Sequence, residues 1–139
     1  MINRVKNTVE NLLTKDKSTL NYHSNSWTFK RNNTLEKRKE KSSSIMKKYT
    51  DRVPVICQTS NDLPDLDNYK FLVPGELSAA NLNYVIRKRI KLEKDKALYF
   101  FIGKSLMPST ILCSQLYERF KDEDGFLYVY ICCENTFGN

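Results

Sequence analysis

Few places in this chain combine residue types and spacings that could do chemistry. Nucleophilic catalysis needs a base within reach of its serine or cysteine. The single histidine, His23, lies in a polar, linker-like stretch, so no Cys-His or Ser-His-Asp set forms from sequence. The four cysteines, Cys57, Cys113, Cys132 and Cys133, contain no C-x-x-C pair. A structural zinc site wants four clustered ligands, so free buried thiols in a reducing cytosol are the better reading, with no cofactor. The glycines form no phosphate-cradling loop. Asp122, Glu123 and Asp124 are adjacent in a turn, the ordinary pattern of solvent-facing charge. The chain reads as a substrate or adaptor, not an enzyme.

One chemical feature remains, at the C-terminus. The last residues run KDEDGFLYVYICCENTFGN, from a polar turn at Asp122–Gly125 into an apolar strand over Phe126–Ile131 and then a short polar tail. Phe137-Gly138-Asn139 ends it. Glycine lacks a Cβ, so an extended Phe-Gly tail can thread a narrow enzyme slot and bring its carbonyl to a nucleophile. The alternative reading is a frayed end after a strand, where disorder normally collects. On the tail alone both stand.

The elements that would position such a tail follow from composition and periodicity. A chain of 139 residues, 40% hydrophobic and 12% aromatic, fits one domain with a modest extension. No apolar run approaches the roughly 20 residues that span a bilayer. Charge is uneven: residues 1–48 hold 12 Lys/Arg against 4 Asp/Glu, and residues 49–139 hold 11 against 12. The basicity belongs to an N-terminal arm, which can favour anionic lipid or nucleic acid or be a solvated face. Within residues 1–14, Ile2, Val5, Val9, Leu12 and Leu13 fall on one helical stripe, fit for a membrane or partner, or for a helix too short to hold. Residues 15–33 read as a polar linker interrupted by Trp27 and Phe29.

A helix is expected from Asn33, with Glu36 at capping-box spacing and Leu35, Ile45, Met46 and Tyr49 as a sparse inner face. Strands follow at Val53–Cys57 and Lys70–Val73. Ser78 caps a helix carrying Leu82, Val85, Ile86 and Ile90, with Arg87, Lys88 and Arg89 in its last turn. A buried strand at Ala97–Ile102 leads through Gly103 to a helix opening at Pro108. The final strand completes an α+β domain, a four-stranded sheet grasping one principal helix.

From Leu35 to Gly138 the blocks LEKRK, YTDRVPVIC, KFLVPGELS, YVIRKRIKL, ALYFFI, LYERFKDEDGFLYV and ENTFG occur in order. Together they resemble the autophagy-related protein eight family of ubiquitin-like modifiers, over about three quarters of the chain. The resemblance implies a ubiquitin-like β-grasp fold: a mixed four-stranded sheet, two core helices and preceding N-terminal helices. It implies an extension over 1–33, a domain over 34–133 and a processed tail over 134–139. A cysteine protease would cut after Gly138 and remove Asn139. Activating and conjugating enzymes would then pass the Gly138 carboxylate to the amine of phosphatidylethanolamine, moving a cytoplasmic protein onto autophagosome membrane. The family also binds aromatic-x-x-aliphatic motifs of cargo receptors by strand addition. The aromatic pocket would comprise Ile45, Pro54, Ile56, Lys70, Leu72 and Phe126, and the aliphatic pocket Phe71, Val73, Pro74, Leu77, Leu82 and Val85. Arg52 and Arg89 would attract acidic flanks.

The chain departs from the family pattern at several points. Lys41 stands where an acid is usual, Asn68 where a lysine is usual, and Met107 where a proline is usual. The loop after Cys57 is about two residues short, and the N-terminal extension is about two dozen residues longer than is usual. Besides the conjugated modifier, an unconjugated peptide-docking module of the same fold is compatible with these residues. A nucleic-acid-binding domain is disfavoured, because the charge lies outside the fold without interleaved aromatics.

Overall fold

The computed structural model describes residues 27–61, 63–64, 66–90 and 97–133. The stripe expected over residues 1–14 and the Phe137-Gly138-Asn139 tail lie outside them.

Alternation of apolar residues builds a sheet with both faces covered. On β5 (Leu127–Cys133), Leu127, Val129, Ile131 and Cys133 face one core, while Tyr128, Tyr130 and Cys132 face the other side. β1 (Arg52–Thr59) divides likewise, Val53, Val55 and Cys57 against Ile56. β2 (Lys70–Pro74) pairs antiparallel with β1, and β1 pairs parallel with β5. β3 (Leu98–Ile102) lies antiparallel on the far side of β5. A fifth strand corrects the expected four: β4, Ser105–Leu106, folds back on β3 beyond the Gly103 turn. The order is β2-β1-β5-β3-β4. The first and last long strands are therefore neighbours at the centre.

Pro54 sits inside β1, two places later than a proline is easily tolerated. The parallel ladder begins only at Val55↔Leu127, so the missing N–H falls ahead of it.

α3 (Ala79–Ile90) and α4 (Cys113–Phe120) cover the larger core, inserting Leu82, Ile86, Ile90 and Leu116 over the sheet. The Ser78 hydroxyl accepts from the Asn81 N–H at 3.1 Å, the cap expected from sequence. α4 starts at Cys113 and not at Pro108, because Leu112 is still extended and bridges to Ser78. Its opening is fixed by the Gln115 side chain, which accepts from the Leu112 N–H at 2.9 Å.

Two helices cover the other face. α1 (Thr28–Asn32) occupies part of the stretch read as linker, and Phe29 is only 2% exposed, wedged against Phe126. The packed unit thus extends back to Trp27, whose ring meets Tyr128 edge-on at 5.0 Å. α2 (Leu35–Lys48) is capped by Thr34, which accepts from the Lys37 N–H. Asn33, the expected cap, instead donates to the Phe29 carbonyl at 3.0 Å and ties the two helices together.

Candidate functional site

A cavity of about 460 Å³ opens between α1, α2 and the β1–β2 pair. Its apolar wall is Ile45, Pro54, Val55, Phe71, Leu72 and Phe126, closed on one side by Phe29. Strand periodicity explains the grouping: Pro54 pairs with Leu72 across the two strands, so both side chains rise on one face. Phe126 reaches the same place from the start of β5.

The free edge of the sheet runs beside this cavity. β2 is the terminal strand, bonded only to β1. The Cys57 N–H donates to the Tyr69 carbonyl at 2.8 Å, and the Gly75 N–H to the Asp51 carbonyl at 2.9 Å. Antiparallel alternation then turns the backbone groups of Lys70 and Leu72 outward. Arg52 Nη1 approaches the outward Leu72 carbonyl at 3.4 Å. An exposed strand edge beside an apolar cavity is chemically fit to add an extended peptide, with the cavity selecting a side chain.

The expected aromatic-pocket residues are brought together with one exception. Ile45, Pro54, Lys70, Leu72 and Phe126 line the cavity, whereas Ile56 lies in a separate cavity of about 410 Å³ with Cys57 and Tyr69. The expected aliphatic-pocket residues are more scattered. Leu82 is fully buried and Val73 nearly so, both inside the core, while Val85 is 38% exposed. Phe71 and Leu77 pack partly against that core, and Pro74 is half-buried at the end of β2. The Arg89 guanidinium lies 5.6 Å from the centre of the Phe71 ring, which joins those two at the surface.

Sequence reasoning missed Phe29, Glu40, Ser44 and Val55 as cavity lining. An aromatic within an otherwise polar stretch was the available signal for Phe29. Asp124, read from sequence as solvent-facing turn charge, is instead buried. This carboxylate, 1% exposed, accepts from Arg38 Nη1 at 2.8 Å, from the Tyr128 hydroxyl and from the Phe126 N–H. The Ser42 hydroxyl donates to the Asp124 carbonyl, and Lys30 pairs with Asp122 at 2.9 Å. Burial, then the bond to Asp124, push the Tyr128 hydroxyl far above the usual tyrosine range. Gly125 closes the turn at φ 89°, where a Cβ would collide with Ser42 Oγ. This cluster fastens α2 to the sheet behind the cavity.

No group of metal ligands occurs among the described residues, and no helix among them is long and apolar enough to cross a membrane. None of the four cysteines forms a disulfide among the described residues, and burial pushes the Cys57 thiol well above its ordinary value, so it stays protonated and inert.

A sheet whose terminal strands meet in parallel at its centre, grasping α3 and backed by N-terminal helices, is the ubiquitin-like architecture. A model of the family described as "Autophagy protein Atg8 ubiquitin like" matches residues 37–138. Autophagy-related protein 8 of Kluyveromyces lactis is 48% identical over 113 residues, 80% of this chain and 91% of that protein. Autophagy-related protein 8a of Arabidopsis thaliana is 49% identical over 113 residues, 80% of this chain and 93% of that one. The crystal structure of Trypanosoma brucei ATG8 superposes with a TM-score of 0.75 at 36% identity, over 81% of this chain and 98% of that chain. A Plasmodium falciparum Atg8 in complex with a P. falciparum Atg3 peptide gives 0.70 at 28% identity, over 76% of this chain and 94% of that chain. The chain belongs to the Atg8 family of ubiquitin-like autophagy proteins.

Proposed function

We propose that this chain is a conjugated modifier of autophagosome formation that also serves as an adaptor for cargo receptors, and is not itself an enzyme. Hydrolysis of the Gly138–Asn139 bond by a processing cysteine protease frees the Gly138 carboxylate. The activating enzyme joins that carboxylate to the nucleotide of ATP with release of pyrophosphate. Its thiol displaces the nucleotide to form a thioester, and exchange passes the acyl group to the conjugating enzyme's thiol. The amine of phosphatidylethanolamine attacks the thioester carbonyl, an amide forms, and the thiol leaves. The protein so passes from cytoplasm to autophagosome membrane. Family membership supports this reading, and so does the Atg3 peptide on the Plasmodium relative, which points to a conjugation-pathway partner.

The adaptor half rests on one observation, the free β2 edge beside the 460 Å³ cavity. The aromatic residue of an aromatic-x-x-aliphatic motif enters between Pro54, Lys70, Leu72 and Phe126. Its aliphatic residue lies toward Phe71, Leu77 and Val85, with Arg52 and Arg89 at the margins. Ile56, Val73, Pro74 and Leu82 shape the groove from beneath.

Intact mass in cells tests the first half: loss of Asn139 with gain of a lipid is expected, and Gly138→Ala should prevent both. Lipidation of the alanine variant at the wild-type level would sink the modifier reading. A chain that binds peptides yet keeps Asn139 and gains no lipid would be an unconjugated docking module. For the groove, Leu72→Ala and Phe71→Ala should each weaken peptide binding about tenfold, the scale of roughly 1.4 kcal/mol.

A further inference from the structure

The second cavity, of about 410 Å³, lies along the same pair of strands as the first. Phe29 lines both and is the wall they share. Beyond it stand Ile56, Leu66 and Tyr69, with the side-chain amides of Gln58 and Asn61 beside them. Gln58 Oε1 accepts from the Thr28 N–H at 3.0 Å, which fixes that side chain in place. Among the described residues the lining carries no charge, so the cavity suits a bulky apolar side chain.

Chain direction places this cavity upstream of the aromatic anchor. The aromatic of a bound motif meets Pro54 and Leu72, and its aliphatic residue lies toward Leu77, which follows β2 in the chain. The ligand therefore runs parallel to β2, and the residues ahead of its aromatic travel toward Tyr69. In an extended strand, side chains return to one face every second residue, about 6.7 Å apart. The Phe29 and Tyr69 rings are 6.4 Å apart, so one such step crosses the shared wall. The residue between points away from both cavities. The Lys70 N–H, an outward donor of the β2 edge, is already held by Asn68 Oδ1 at 3.1 Å. The added ladder stops there, and the upstream residue can turn inward.

We propose that the second cavity is a further side-chain subsite, taking a bulky apolar residue two places before the aromatic anchor. The proposal rests on the groove reading above and lengthens its motif to apolar-x-aromatic-x-x-aliphatic.

Fluorescence anisotropy with matched aromatic-x-x-aliphatic peptides tests it, the residue two before the aromatic being alanine or leucine. Leucine should tighten binding to wild type about fivefold over alanine, the scale of burying roughly half of such a side chain. Leucine moved one place closer to the aromatic should gain nothing, since alternation turns it outward. Thr59 lines the cavity from β1, and Thr59→Phe should fill it and bring the leucine-to-alanine ratio to about unity. Gln58→Glu keeps an acceptor for the Thr28 N–H while setting a carboxylate in the cavity, so it should lower the ratio and leave the alanine peptide bound as before. A wild-type ratio of unity, equal gains from leucine at either position, or a ratio unchanged in both variants overturns the subsite and leaves the groove intact. Failure of wild type to bind any of the peptides overturns the groove reading and the subsite with it.

Discussion

Asp124 shows how one residue can decide where a whole element goes. Its carboxylate is desolvated and satisfied by three donors, Arg38, the Tyr128 hydroxyl and the Phe126 N–H. Removing one partner of such a pair leaves an uncompensated buried charge. Arg38→Met should therefore destabilise the domain by about 3 kcal/mol, measured by urea unfolding, because the Arg38 side chain is itself largely buried. Tyr128 sets a pH dependence. Its raised pKa means that the folded state keeps the phenol neutral while an unfolded chain ionises it near pH 10. Its contribution is thus intact below about pH 10 and is lost as the pH climbs beyond that. Tyr128→Phe should cost about 1 kcal/mol at neutral pH for the lost hydrogen bond, yet show a shallower loss of stability in alkali. Thermal unfolding at pH 7 and pH 11 checks both signs. None of this was legible in the sequence: Asp122, Glu123 and Asp124 look alike in a row. Only the fold turns Asp124 inward, Gly125's positive φ letting the backbone double back against Ser42.

At the scale of elements, the strands could be read because each obeys a two-residue period or is wholly apolar. Phe126–Ile131 and Lys70–Val73 lie within one or two residues of β5 and β2. The helices were harder for identifiable reasons. α4 begins late because Leu112 is held in a bridge with Ser78, a long-range contact with no local signature. α2 buries one side chain, Ser42, and is docked by polar bonds, so its weak apolar stripe was a faithful sign of how it packs. α1 was hidden in a polar stretch, betrayed only by Trp27 and Phe29. Of the candidate groove, the strand edge and the Pro54–Leu72 side of the cavity followed from the resemblance, while the Phe29 wall required α1. A boundary prediction follows from that wall. Deleting residues 1–26 should leave the midpoint of thermal unfolding nearly unchanged. Deleting residues 1–33 strips Phe29 and Lys30 from Phe126, Tyr128 and Asp122, and should cost about 3 kcal/mol or more, the scale of losing one buried phenylalanine. The same deletion should abolish peptide binding, since it removes the Phe29 wall. Equal midpoints for the two truncations would show that α1 is not part of the folded unit.

For the whole molecule, the sheet and the α3–α4 core carry the Atg8 architecture. The strand order also has a consequence in time. β5 is flanked by β1 and β3, yet it comes last of the strands in chain order. During synthesis β1 and β2 emerge early, but the parallel partner of β1 is the last of the strands to emerge. The sheet cannot close until β5 is available, so its central pairing joins strands far apart in the chain and is slow for that reason. A nascent chain stalled before Leu127 exposes the apolar faces of β1 and α3 with nothing to cover them. A copy that stops short of β5 lacks the central strand on which both sides of the sheet are built.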